Sequence, residues 1–149
     1  MSRLDGASQQ QTASGDVQHA NGGAGWFDVA VLIEHELTGT AARRMVDMYQ
    51  MKSTPLRYNL VRPLNASPRA KADQLLNKSV ERMEALGARV TGMVSEQPPV
   101  DALSGLVQAT RSQEVVVVTH RHRLASLLRR DLASQARARV ALPLVHLVN

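Results

Sequence analysis

From Trp26 onward, apolar and polar positions alternate between two periods, and the switches between them predict nine elements. Phe27-Asp28-Val29-Ala30-Val31-Leu32-Ile33 is almost continuously apolar, the pattern of a strand buried on both faces. After a loop from Glu34 to Gly39, residues 40–51 place Ala41, Met45, Met48 and Tyr49 at helical spacing, with Arg43, Arg44 and Asp47 on the other side. Pro55 ends that helix, and Leu56 to Arg62 form a second strand closed by Pro63. Ser67-Pro68 opens a second helix, with Ser67 expected to cap it. The helix runs through Leu75, Leu76, Val80, Met83 and Leu86 to a stop at Gly87. Residues 89–94 are a weaker third strand, and Pro98-Pro99 starts a third helix carrying Leu103, Leu106 and Val107. The run Val115 to Val118 reads as a central strand, residues 124–140 as a long basic helix, and Leu142 to Val148 as a last strand.

Strands that alternate with helices over short connections predict a parallel sheet covered on both faces, because crossovers are right-handed. The fold class expected is therefore α/β, a three-layer α-β-α sandwich on a five-stranded parallel sheet. Residues 1–24 do not fit the pattern. They are rich in Gln, Ser, Gly, Ala and Asn, and such a stretch buries too little apolar surface to offset its conformational entropy. We read 1–24 as a disordered tail and 25–149 as the folded domain.

Composition narrows the function. A chain of 149 residues that is 44% hydrophobic can build one continuous core. No apolar run approaches the roughly 20 residues of a membrane helix, and residues 1–6 lack the apolar stretch of a secretory signal. With no cysteine, thiolate catalysis, disulfides and Cys-ligated zinc are excluded, and a cytoplasmic setting is the simplest expectation. The net charge of +5 lies wholly in residues 111–149, where seven arginines face Glu114 and Asp131. A field of this sign attracts phosphates, nucleic acid or an acidic protein, although a solvated arginine face on one helix is the plainer account.

The order of elements and the C-terminal stretch resemble the universal stress protein family, a branch of the adenine-nucleotide α-hydrolase-like fold. That family follows its valine-rich fourth strand with a glycine loop, G-x-x-G, nine residues and G-S/T, then a basic helix and a proline-containing last strand. Here Val115 to Val118 precede Thr119-His120-Arg121-His122, then Ala133-Ser134, and Ala141-Leu142-Pro143-Leu144-Val145-His146-Leu147-Val148 closes the chain. Glu96-Gln97-Pro98 matches the family's turn before a proline. The resemblance covers about residues 26–149 and implies the strand order 3-2-1-4-5. It also implies where the chain departs from an ATP site. Thr119 and His122 replace the two loop glycines, Ala133 replaces the third, and only Ser134 is kept. Glycine lets backbone amides approach phosphates closely, so side chains at these places crowd a nucleotide. Glu34 stands near the end of the first strand, where ATP-binding relatives carry an aspartate.

The most unusual local feature is His120-Arg121-His122-Arg123 at the tip of the fourth strand. Carboxyl ends of parallel strands are where open α/β sheets bind ligands. Glu34, Thr119, His120, Arg121, His122, Arg123 and Ser134 are therefore the candidates for holding an anion or nucleotide, against the plainer reading of a solvated polar loop. A metal site built on His120 and His122 needs a third ligand, such as Glu34, His35 or His146, which no spacing supplies, so no metal is expected. No G-x-S-x-G elbow or Ser-His-Asp arrangement is present, and no catalytic residue is assigned. Four aromatic residues offer few stacking platforms, so nucleic acid is not an expected partner. The methionines at 45, 48, 83 and 93 are read as packing.

Together these readings predict a non-catalytic, universal-stress-protein-like domain acting by dimerisation and by binding an anionic small molecule or acidic partner. No cofactor is expected, because the altered loop does not support ATP. The alternatives are a nucleotide-dependent enzyme of the same superfamily and a basic adaptor for RNA or the ribosome. The dimer is placed on Leu144, Val145, His146, Leu147 and Val148, a long apolar strand that the implied order leaves at the sheet edge.

Overall fold

The computed structural model describes residues 25–65, 67–120 and 126–149, with helical backbone only for 126–130. The proposed tail, 1–24, and Arg121, His122 and Arg123 lie outside the described residues. The first strand, β1 (Phe27–Ile33), is buried over all but its first residue, and it sits at the middle of the sheet. It pairs in parallel with β2 (Leu56–Pro63) on one side and with β4 (Glu114–Thr119) on the other. The edges are β3 (Val90–Ser95), against β2, and β5 (Leu144–Val148), against β4. All neighbours are parallel and the order is β3-β2-β1-β4-β5. The α/β reading and the order implied by the resemblance both stand.

The four helices among the described residues cover both faces. Below the sheet, α1 (Gly39–Met48) and α2 (Arg69–Glu84) place Met45, Leu76 and Met83 against Val29, Val31, Ile33 and Leu60. On the opposite face, α3 (Pro99–Thr110) and α4 (Ser126–Arg139) place Leu103, Leu106 and Ala136 against Ala30, Leu32, Val61 and Val117. The alternation of side chains along each strand feeds the two clusters in turn, which is why the strands read as continuous apolar runs. Among the described residues, no helix is long and apolar enough to cross a membrane.

Local chemistry explains most element boundaries. Thr38 caps α1, its hydroxyl accepting from Ala41 N at 3.1 Å. Gly87, with φ of +88°, ends the turn after α2, where an L side chain would be strained. Ser67 does not cap α2. Pro68 holds the cap position without a side-chain bond, and Ser67 Oγ instead accepts from Arg62 at 3.4 Å. The last strand begins at Leu144, two residues later than its apolar pattern starts, because Pro143 precedes it.

Two of the four core methionines are misplaced by spacing alone. Met45 and Met83 are fully buried, whereas Met48 and Met93 are 41% and 47% exposed. Met48 is the last residue of α1, and Met93 lies on edge strand β3, while α3 packs across β1 and β2. Gly92 explains how weak β3 still binds its helix. A Cβ there would come within 3.0 Å of Leu76 Cδ1 and Val80 Cγ2 on α2.

Candidate anion site at the carboxyl end of the sheet

In this strand order the chain leaves β1 toward β2 on one side and later returns to β4 on the other. The carboxyl ends of β1 and β4 therefore border the crevice where such sheets place ligands. Residues 34–38 after β1 and His120 after β4 border it. The rings of His35 and His120 stack there, with centroids 4.5 Å apart and planes 30° from parallel.

The loop after β1 is held from three elements. Leu37 N donates to Ser79 Oγ at 3.0 Å, and Leu37 O accepts from Arg82 Nη1 at 2.5 Å, both from α2. Glu36 pairs with Arg82 at 2.8 Å. Asn149, just past β5, bridges Thr38 N and Glu36 O at 2.9 Å each, while its own amide donates to Thr119 O at 2.7 Å. The loop, β4 and β5 are thus joined by one residue, its side chain holding the loop and its backbone N–H holding Thr119. Position here is set by hydrogen bonds to backbone together with the fully buried Leu37 side chain.

At the base of the crevice lies Arg62, the last residue but one of β2, which is only 4% exposed. Its guanidinium donates to Pro63 O and reaches Ser67 Oγ, but Nε has no hydrogen-bond partner among the described residues. Burial pulls the Arg62 pKa down while Glu34 pulls it up, and the group stays cationic. His35 sits lower than an ordinary histidine, first through partial burial and then through the charges of His120 and Arg62. Its imidazole therefore favours the neutral form more than an ordinary histidine does.

The residues singled out from sequence separate into groups. Glu34 and His120 reach the crevice, with the Glu34 carboxylate accepting from Asn65 Nδ2 at 3.3 Å. Thr119 ends β4 but is buried, its hydroxyl 2.8 Å from His146 Nε2 on β5. Its backbone has no positive φ, the conformation a phosphate-cradling glycine supplies. Ser134 is exposed and lies eight residues into α4, roughly 12 Å from the helix's amino end. Arg121, His122 and Arg123, and with them half of the metal reading, fall outside the described residues; among those described, no three His, Asp or Glu side chains gather to hold a metal.

Sequence reasoning missed Arg62 and gave His35 no role beyond a spare metal ligand. A signal for Arg62 existed: a charged residue immediately before the proline that ends a buried strand. The contact between His35 and His120 had none, since 85 residues separate them.

Parallel strands ordered 3-2-1-4-5, helices on both faces and a crevice between β1 and β4 define a three-layer, open-sheet α/β fold. More narrowly, it is the fold of the universal stress proteins. The universal stress protein of Archaeoglobus fulgidus superposes with a TM-score of 0.62 at 14% identity, covering 84% of this chain and 96% of its own. The structure of that organism's protein in complex with dAMP gives a TM-score of 0.59 at 11% identity, covering 80% and 96%. A universal stress protein family protein from Arabidopsis thaliana with AMP bound gives 0.58 at 14% identity, covering 83% and 91%. By sequence, no protein-family model and no curated protein matches the chain. At these identities the likeness is one of fold.

Proposed function

We propose that this chain is a non-catalytic domain of universal stress protein type that holds a small anion, a phosphate or carboxylate, at the crevice between β1 and β4. The observation that carries the reading is Arg62. A cation this buried costs free energy unless something pairs with it, and an unmade hydrogen bond at Nε adds about 1–3 kcal/mol. Glu34 offsets part of the first cost, and an anion seated beside the His35–His120 pair offsets more of it through its charge. Two of the structural neighbours carry AMP or dAMP. In this chain Thr119, His122 and Ala133 stand where the resemblance expects glycines, which favours a ligand smaller than a nucleotide.

Isothermal titration with inorganic phosphate, and separately with ATP and magnesium, tests the proposal. Phosphate is expected to bind with proton uptake, and Arg62→Met is expected to abolish the signal. Tight ATP binding would replace this reading with a nucleotide-dependent one, and absence of phosphate binding would remove it.

The same proposal includes pairing through β5, which has β4 on one side and, among the described residues, no strand on the other. Leu144, Val145 and Val148 remain partly exposed along it, and an uncovered apolar edge invites a second strand. His146 contributes differently from its neighbours, because its ring is turned back to Thr119 within its own chain.

A further inference from the structure

The stacked rings of His35 and His120 stand on two separate pieces of chain, the loop after β1 and the residue that follows β4. The loop is fastened to the helix layer at residue 37. Its backbone bonds Ser79 and Arg82 of α2, and the Leu37 side chain is fully buried in the core. The end of β4 is held separately, by its parallel neighbours β1 and β5. Whether the two rings meet depends on what links the loop to that strand end.

Asn149 supplies such a link. Its Oδ1 accepts from Thr38 N and its Nδ2 donates to Glu36 O, both at 2.9 Å, so one amide group grips the loop on either side of Leu37. Its backbone N–H donates to Thr119 O at 2.7 Å, directly before His120. One residue therefore holds the neighbour of His35 and the neighbour of His120. A carboxamide suits the task, because it offers an acceptor and a donor side by side to two unlike backbone groups. Thr38 N gains most from the contact. It belongs to the residue that caps α1, whose own N–H has no helical carbonyl to bond.

We infer that Asn149 is a positioning residue of the crevice: its side chain sets the His35 loop against His120, and with it the geometry in which the pair meets an anion. The consequence for binding rests on the anion-site reading, whereas the positioning is visible without a ligand. The charged and titratable groups around His35 are His120 after β4, Arg62 of β2, and Glu34 and Glu36 of its own loop, the last paired with Arg82 of α2. Freed from Asn149, the loop carries His35 toward water and away from His120 and Arg62.

Asn149→Ala is a clean test, because it cuts the two side-chain bonds and leaves the backbone bond to Thr119 and the pairing of β4 with β5 in place. Circular dichroism checks that the variant is folded. The ring protons of His35, assigned by comparison with His35→Asn, are titrated by NMR from pH 8 to 5 in both proteins. In the native protein His35 titrates below the ordinary histidine value, and the two rings give a cross-relaxation signal. In Asn149→Ala that signal should be lost and His35 should return toward about 6.5, while inorganic phosphate binds at least about fivefold more weakly. Thr91→Val removes a bond to Asn59 at the β3 edge and should change none of these quantities. The Thr38 amide proton should resist exchange with solvent in the native protein and exchange freely in Asn149→Ala. An unshifted His35 in folded Asn149→Ala overturns the inference. So does unchanged phosphate affinity in that variant, a Thr38 amide that exchanges freely in the native protein, or a Thr91→Val that shifts His35 as far. A native protein that binds no phosphate, with His35 still answering to Asn149, upholds the positioning and overturns the anion reading instead.

Discussion

The imidazole of His35 stacks on that of His120, with centroids 4.5 Å apart, so the loops leaving the two central strands touch through a pair of titratable rings. His35 has its pKa lowered, first by partial burial and then by its cationic neighbours. Its unfolded value is near 6.5, so the unfolded chain takes up the proton first as the pH falls. Stability is therefore full above about pH 6.5 and declines below it, down to the folded pKa of His35. Much of the ring faces water, which keeps the effect small. Melting temperature measured from pH 8 to 5 should fall in the acid range, and His35→Asn should flatten that fall. With phosphate present the trend should weaken, because a bound anion raises the His35 pKa. An identical profile in His35→Asn would assign the acid sensitivity elsewhere.

Arg62 is expected to trade stability for binding. Replacing the guanidinium by the thioether in Arg62→Met removes a buried charge and an unmet donor while keeping most of the volume. Thermal melts should show the variant at least as stable as the native protein, and phosphate should no longer raise its melting temperature. A clear loss of stability would make Arg62 a structural residue, held by its bonds to Pro63 and Ser67.

Asp28 is the counterpart at the other end of the sheet. Its buried carboxylate takes a two-pronged bond from Arg57, at 2.9 and 3.0 Å, and a third from Asn59 Nδ2 at 3.2 Å, while Asn59 in turn accepts from Thr91 at 2.8 Å. One network thus ties β1, β2 and β3. Asp28→Ala leaves Arg57 and Asn59 without their acceptor and should cost about 3 kcal/mol in urea unfolding. A cost under about 1 kcal/mol would mean that water replaces the carboxylate.

Pairing through β5 should be visible by sedimentation at tens of micromolar. Val145→Lys puts a charge on the edge, where its long side chain can reach water, and should give a folded monomer. Circular dichroism checks that the variant keeps its fold. A native protein that is already monomeric, or a folded variant that still dimerises, removes this interface.

The sequence by itself determined the layers. Phe27–Ile33 and Val115–Val118 are too continuously apolar to face water, and helices between strands of one direction leave only a covered parallel sheet. Gly87, Pro98 and Pro143 marked boundaries because their backbone limits act locally. Part of the crevice was legible too, since Glu34 and His120 sit at strand ends, and strand ends in such a fold gather. Tertiary structure alone decided the rest. Met48 and Met93 have the same spacing as Met45 and Met83, and only the reach of the neighbouring helices left the first pair in water. The burial of Arg62, the stacking of His35 on His120 and the hold of Asn149 on the loop after β1 depend on contacts between distant segments. Periodicity reports which way a side chain points from its own element, and it carries no record of what another element brings to meet it.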